Sequence, residues 1–194
     1  MNADNFTKEI NPWEHYTIID ALPVELLSYI SSINDSEFIA ADDMKDYAGI
    51  SYYTVKPDTD LYQFFNTIDT KNILESICNK KLSNRRCHIS LSKSVTRSQE
   101  FIHEDDSSKS LSLLIYLPTV KQQGTDIGTW LYDQEKKLSK KCCFNYNTGL
   151  MFVPSSQHNY IYKTWHSVPV YDLPEPRTIL MVNYLFDQSY IRLR

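Results

Sequence analysis

Two hydrophobic rhythms divide the chain near Asn84. Before it, apolar residues recur every three or four positions: Leu22, Leu26, Leu27, Ile30 and Ile33, then Leu61, Phe64, Phe65 and Ile68, then Ile73, Leu74, Ile77 and Leu82. That spacing places one stripe of a helix against a core. It predicts a helix over about 22–33, with Pro23 and Glu25 in the first turn, where proline and acidic side chains are accommodated. Two further helices follow, the first capped by Asp58 or Asp60. A short strand is expected over 15–20, and an edge strand among Tyr47, Ile50, Tyr52, Tyr53 and Val55 that stops at Pro57. Residues 1–84 are thus mainly helical, and their stripes need a surface to cover.

After Asn84 the pattern changes to short runs separated by turn signals. Strands are expected at about 86–92, 98–103, 110–117, 125–133, 142–146, 149–153, 165–170 and 176–186. Eight such strands make a jelly roll. The last, from Arg177 to Phe186, is apolar at nearly every position, so both its faces should be buried, one lining a barrel and the other packing under the helices. No repeat, low-complexity tract or linker interrupts the chain. The expectation is one domain over 1–194, mainly β with supporting helices: support in 1–84 and a jelly-roll, cupin-like core in 85–187.

Charge and composition narrow the partners. A formal net charge of −4 without a long lysine or arginine run argues against phosphate-backbone binding, so nucleic acid is not an expected partner. The N-terminus lacks a basic region followed by an apolar core, and no apolar segment approaches the roughly 20 residues that span a bilayer. A soluble, cytoplasmic protein without a membrane partner is the expectation. Cys78, Cys87, Cys142 and Cys143 show no Cys-x-x-Cys spacing and read as free buried thiols. Only 4 glycines against 14 tyrosines suits a sheet-rich protein.

Candidate chemistry gathers at Phe101 to Asp106. In an extended segment His103 and Asp105 point the same way, while Glu104 and Asp106 point elsewhere and read as solvated loop acids. A distant histidine would complete a two-histidine, one-carboxylate triad, diagnostic for non-haem Fe(II) oxygenases. Of the five histidines His166 is best placed, because it opens a strand after the loop 154–163; His158, within that loop, is the competitor. Arg177 follows eleven residues after His166, past Pro169, Pro174 and Pro176, which fit a turn between adjacent strands. A guanidinium pointing into an apolar barrel implies a buried anion, and its fork suits a carboxylate. The plain alternative for Arg177 is an ion pair with Glu175 or Asp172.

Taken together, His103-x-Asp105, His166 and Arg177, within Gly149 to Pro154, Trp165 to Val170 and Pro176 to Leu180, resemble the double-stranded β-helix of the Fe(II)/2-oxoglutarate-dependent oxygenases. The similarity covers about 85–187 and is strongest to the prolyl-hydroxylase-like branch, although the chain has a single Gly124 where that branch often carries paired glycines. The resemblance implies that His103, Asp105 and His166 bind Fe(II), that Arg177 grips the distal carboxylate of 2-oxoglutarate, and that the Tyr116 hydroxyl reaches the same carboxylate. Trp130, Tyr132 and Trp165 are candidate substrate contacts at the open face of the barrel, with core packing as the plain alternative. The implied activity uses O2 to hydroxylate a C–H bond of a peptide side chain, amino acid or small metabolite, releasing succinate and CO2. The rival is a cupin-like metal-dependent isomerase or metabolite-binding protein without O2 chemistry, whose metal sites usually draw several histidines and a glutamate from two spaced motifs.

Overall fold

The structure, a computed structural model, describes residues 1–40, 50–154 and 162–186. Helices α1 (Val24–Ser32), α2 (Asp60–Asn66) and α3 (Ile68–Cys78) match the three helical stripes. Pro23 lies just outside α1 as its extended N-cap residue, so the helix starts later than the apolar spacing predicts. The cap of α2 is neither aspartate: the Thr59 side chain accepts from the Tyr62 N–H. Thr67 ends α2 and caps α3, accepting from the Thr70 N–H.

The strands are β1 (Phe6–Glu9), β2 (His15–Ile18), β3 (Ile39–Ala40), β4 (Ile50–Thr54), β5 (Arg86–Arg97), β6 (Lys109–Tyr116), β7 (Trp130–Tyr132), β8 (Leu138–Lys141), β9 (Thr148–Phe152), β10 (His166–Ser167) and β11 (Tyr171–Leu185). Tyr47, expected in the edge strand, lies outside the described residues. The large sheet runs β1-β2-β9-β6-β11-β5-β4-β3, and the small one β10-β7-β8. His103 pairs with His166 in an antiparallel bridge and so lengthens the small sheet by one segment. From β5 onward the chain moves to the His103 segment, back to β6, across to β7 and β8, back to β9, across to β10 and back to β11. That alternation between facing sheets is the jelly roll.

Three expected strands shift for local reasons. The one placed at 98–103 is absent because β5 continues to Arg97, pairing Thr96 with Asp172 and Arg97 with Tyr171 beyond a bulge in β11; only His103 pairs in the stretch that follows. The one placed at 142–146 begins earlier, at Leu138. The Asp133 carboxylate accepts from the N–H groups of Glu135 and Lys137, and Lys136 takes a left-handed φ of 61°, so a tight turn brings β8 back onto β7. Within the stretch placed at 125–133, regular pairing is confined to β7, with Thr125 bridging Phe144.

Two apolar layers result. Leu180, Val182 and Tyr184 of β11 join Ile89, Leu91, Leu111, Leu113 and Ile115 in packing against Leu61, Phe65 and Leu74 of the helices. The Tyr184 hydroxyl donates to the Phe65 carbonyl at 2.6 Å, tying α2 to the sheet. Residues of the opposite parity, including Ile179, meet Tyr116, Leu131, Phe144, Leu150 and Phe152 between the sheets. The near-continuous burial of β11 from Arg177 to Leu185 is the two-faced burial its composition predicts. Strands β9 and β6 approach so closely that a Cβ on Gly149 would lie 2.2 Å from the Leu114 carbonyl oxygen. Among the described residues no helix is long and apolar enough to cross a membrane.

Candidate functional site

Residues directly opposite each other on paired strands share a face, so the register lays out the inner surface of the large sheet in rows. The first is His88, Asn183, Ser112 and Phe152; the next Ser90, Met181, Leu114 and Leu150; the next Ser92, Ile179, Tyr116 and Thr148; and Ser94 with Arg177 ends the series. The proposed metal ligands collect at the first row and the arginine at the last.

His103, Asp105 and His166 each offer a ligand atom, and these atoms lie within 4.8 Å of one another. The backbone bridge between the histidines sets their rings side by side, with centroids 4.4 Å apart. His166 Nδ1 lies 2.8 Å from the Thr164 carbonyl oxygen, and His103 Nδ1 lies 3.0 Å from that of Phe101. A carbonyl can only accept, so each Nδ1 carries the proton and each Nε2 keeps a lone pair for a metal. Phe152 packs 5.0 Å from the His166 ring, and Phe101 stacks 5.4 Å from that of His103. Lys109 Nζ donates to Asp105 Oδ1 at 2.6 Å, and the Ser112 hydroxyl donates to Oδ2. Burial would raise the Asp105 pKa, but Lys109, His166 and the hydrogen bonds outweigh it and hold the carboxyl at about 2. Burial, only partly opposed by Asp105, pulls His166 down to about 4. At neutral pH the site therefore presents an ionised carboxylate and a neutral His166. Two imidazole nitrogens and one carboxylate, with the remaining positions open, fit a non-haem Fe(II) ion.

At the far end Arg177 is only 4% exposed. Its Nε donates to the Ile127 carbonyl at 2.6 Å, and a terminal nitrogen reaches the Gly128 carbonyl at 3.4 Å. The guanidinium carbon lies 5.2 Å from the Phe144 ring centre and 5.7 Å from that of Tyr171. Burial lowers its pKa, opposed by Tyr171 and Tyr116. Among the described residues no carboxylate pairs with Arg177; Glu175, the suggested surface partner, pairs with Lys121 at 2.9 Å. Tyr116 is buried beside Ile179, and its hydroxyl donates to Thr129 Oγ1 at 3.0 Å while accepting from the Thr129 N–H. Tyr171 joins this pocket without any sequence signal, since it follows Pro169 and Val170 in what reads as a turn. Its hydroxyl makes a short hydrogen bond with Ser94.

The three aromatic candidates lie on the other side of the small sheet. His166 points inward, so its neighbours Trp165 and Ser167, and Trp130 opposite Ser167, face outward. Lys141 sits over the Trp130 ring and Lys136 over that of Trp165, at 4.6 and 4.0 Å. The Tyr132 hydroxyl is within 2.9 Å of Ser167 Oγ, which donates to Glu100. None of the three turns toward His103, Asp105 and His166. Glu104 is not a free loop acid but pairs with Lys163 at 2.8 Å, while Asp106 accepts from the Ser108 N–H. His158 lies outside the described residues. Lys109, Ser112 and Asn183 were missed by sequence reasoning. The Asp105 to Lys109 spacing and the alternating serines of Lys109 to Ser112 were the available signals.

No protein-family model and no curated protein matches the sequence. Solved structures do match. A prolyl-4-hydroxylase from Pseudomonas putida is similar at a TM-score of 0.63 and 12% identity, over 89% of this chain and 92% of that one. An oxidoreductase of the 2OG-Fe(II) oxygenase family from Burkholderia pseudomallei gives 0.62 and 12%, over 88% and 84%. A prolyl hydroxylase from Trichoplax adhaerens, in complex with a hypoxia inducible factor oxygen degradation domain peptide fragment, gives 0.51 and 15%, over 88% and 83%. What the chain shares with these proteins at such identities is the fold, the jelly-roll core of prolyl hydroxylases and 2-oxoglutarate oxygenases.

Proposed function

We propose that the protein is an Fe(II)- and 2-oxoglutarate-dependent dioxygenase that hydroxylates a C–H bond of a peptide side chain, an amino acid or a small metabolite. The observation that carries this reading is the pairing of two sites along one interior face. His103, Asp105 and His166 converge at one end, and Arg177, buried and without a carboxylate partner among the described residues, lies at the other. An uncompensated guanidinium in an apolar interior is costly, so it fits a pocket completed by an anion. The fork of Arg177 would take the distal carboxylate of 2-oxoglutarate, held in aim by the Ile127 and Gly128 carbonyls, with Tyr116 and Tyr171 beside it. Leu114, Leu150 and Ile179, in the rows between, would keep water from the bound cosubstrate. His103 and His166 would hold iron through Nε2 and Asp105 through a carboxylate oxygen, while Lys109 and Ser112 fix the orientation of that carboxylate. Iron and 2-oxoglutarate, when bound, supply the oxidising chemistry: one atom of O2 enters the C–H bond and the other enters succinate, formed with CO2. The peptide held by the Trichoplax protein supports including peptide side chains among the substrates.

The test is anaerobic addition of Fe(II) with and without 2-oxoglutarate. A visible charge-transfer band should appear only when both are present, and His103→Ala, Asp105→Ala or His166→Ala should remove it. A wild-type protein that binds Fe(II) without ever giving the band would overturn the reading.

A further inference from the structure

Beyond the metal ligands, the open end of the inner face holds polar groups that the fold leaves unused. Asn183 is only 9% exposed, and its side-chain amide lies 3.2 Å from the Ser112 hydroxyl, whose single proton goes to Asp105; the rest of the amide has no partner among the described residues. Directly across the strand pair lies His88, whose ring also lacks a hydrogen-bond partner among the described residues. The row above brings Arg86 and Lys109 to either side of Leu185. Both cations are felt at His88, whose pKa is lowered by burial and then by Arg86 and Lys109. Neither group is sealed from solvent without a partner, so both are open to a ligand that enters beside the proposed metal site.

We infer that Asn183 and His88, under the field of Lys109 and Arg86, bind a carboxylate of the primary substrate, so that the substrate is an amino acid or an acidic peptide group. This rests on the oxygenase reading and adds the substrate class to it. With the Ser112 proton given to Asp105, the amide turns one N–H to Ser112 Oγ, leaving one N–H and Oδ1 on Asn183 and one N–H and one lone pair on neutral His88. Lys109 adds ammonium protons beyond the one given to Asp105. A carboxylate is acceptor-only and negative, matching both the donors and the flanking cations. A carboxamide carries no charge to answer the two flanking cations. Ser112 joins the two functions, donating to Asp105 while its oxygen meets the Asn183 amide, so the bound carboxylate is held one residue contact from the proposed metal ligand.

The test loads the protein with Fe(II) and 2-oxoglutarate under argon and titrates matched pairs: free L-amino acids against their C-terminal amides, and blocked tripeptides centred on Asp or Glu against Asn or Gln. Movement of the charge-transfer band reports binding, and succinate formed on admitting air reports turnover. At least one carboxylate should bind about tenfold or more tightly than its amide, as expected when a charge-assisted hydrogen bond is lost. Asn183→Asp, which turns the donor into a like charge, should abolish that preference. His88→Leu should weaken the carboxylate alone, with circular dichroism checking that both variants fold. Absence of the band in the wild-type protein would sink the oxygenase reading itself. A band that no carboxylate moves, that acids and amides move alike, or whose acid preference survives both substitutions overturns the carboxylate assignment only.

Discussion

At the scale of single residues, Arg177 and Asp105 illustrate opposite ways of burying a charge. Asp105 is compensated from within the chain by Lys109 and Ser112, whereas Arg177 has carbonyl dipoles and aromatic faces but no carboxylate among the described residues. Replacing Arg177 by lysine keeps the charge and loses the fork. Affinity for 2-oxoglutarate should fall by about 1.5–3 kcal/mol in calorimetry of the metal-loaded protein, while metal affinity stays nearly constant. Equal losses for metal and cosubstrate would point to a structural role instead. The convergence of His103 and Asp105, two of the proposed metal ligands, was legible because a period of two along an extended segment fixes which side chains share a side. Asn183 and His88 were not, because pairing between distant strands determines their neighbours.

At the scale of elements, caps and close approaches govern the fold. Thr67 serves two helices, donating to the Phe64 carbonyl and accepting from the Thr70 N–H. Thr67→Ala should destabilise the protein by about 1 kcal/mol, read from the shift in denaturation midpoint. Gly149→Ala should cost more, about 2–3 kcal/mol, because the atom in the way is the Leu114 backbone oxygen and a strand must move. An unchanged midpoint would mean that β6 and β9 have more room than the register implies. The helices and β11 were readable from apolar spacing. Strand β1, Phe6-Thr-Lys-Glu9, was not, since a lone apolar Phe6 among polar residues, Thr7 and Lys8 exposed, makes no apolar pattern. The displaced β8 traces to one residue, Asp133, whose turn-capping carboxylate apolar spacing cannot reveal.

For the whole molecule, buried histidines set the response to acid. His15, His88 and His166 all have pKa values pulled below 6.5, chiefly by burial, with His166 at about 4. The unfolded chain therefore binds protons that the native state refuses, and stability falls as pH drops below about 6.5. His166 alone should account for about 2 kcal/mol by pH 5 in the metal-free protein. Asp105, held at about 2 against an ordinary 3.8, adds a second loss over that lower window. Urea midpoints at pH 7 and pH 5 check the first step, and equal midpoints would count against the burial of these rings. The first 84 residues were read as helical support, yet they also pair β2 with β9 and β4 with β5, on the two flanks of the barrel's larger sheet. Those strands act as guards. A fragment beginning at Asn84 would bare the backbone edges of β5 and β9, each a template for joining another copy. It should aggregate, as light scattering would show, even though every proposed metal ligand is present, so the chain cannot be trimmed to the half that carries those ligands.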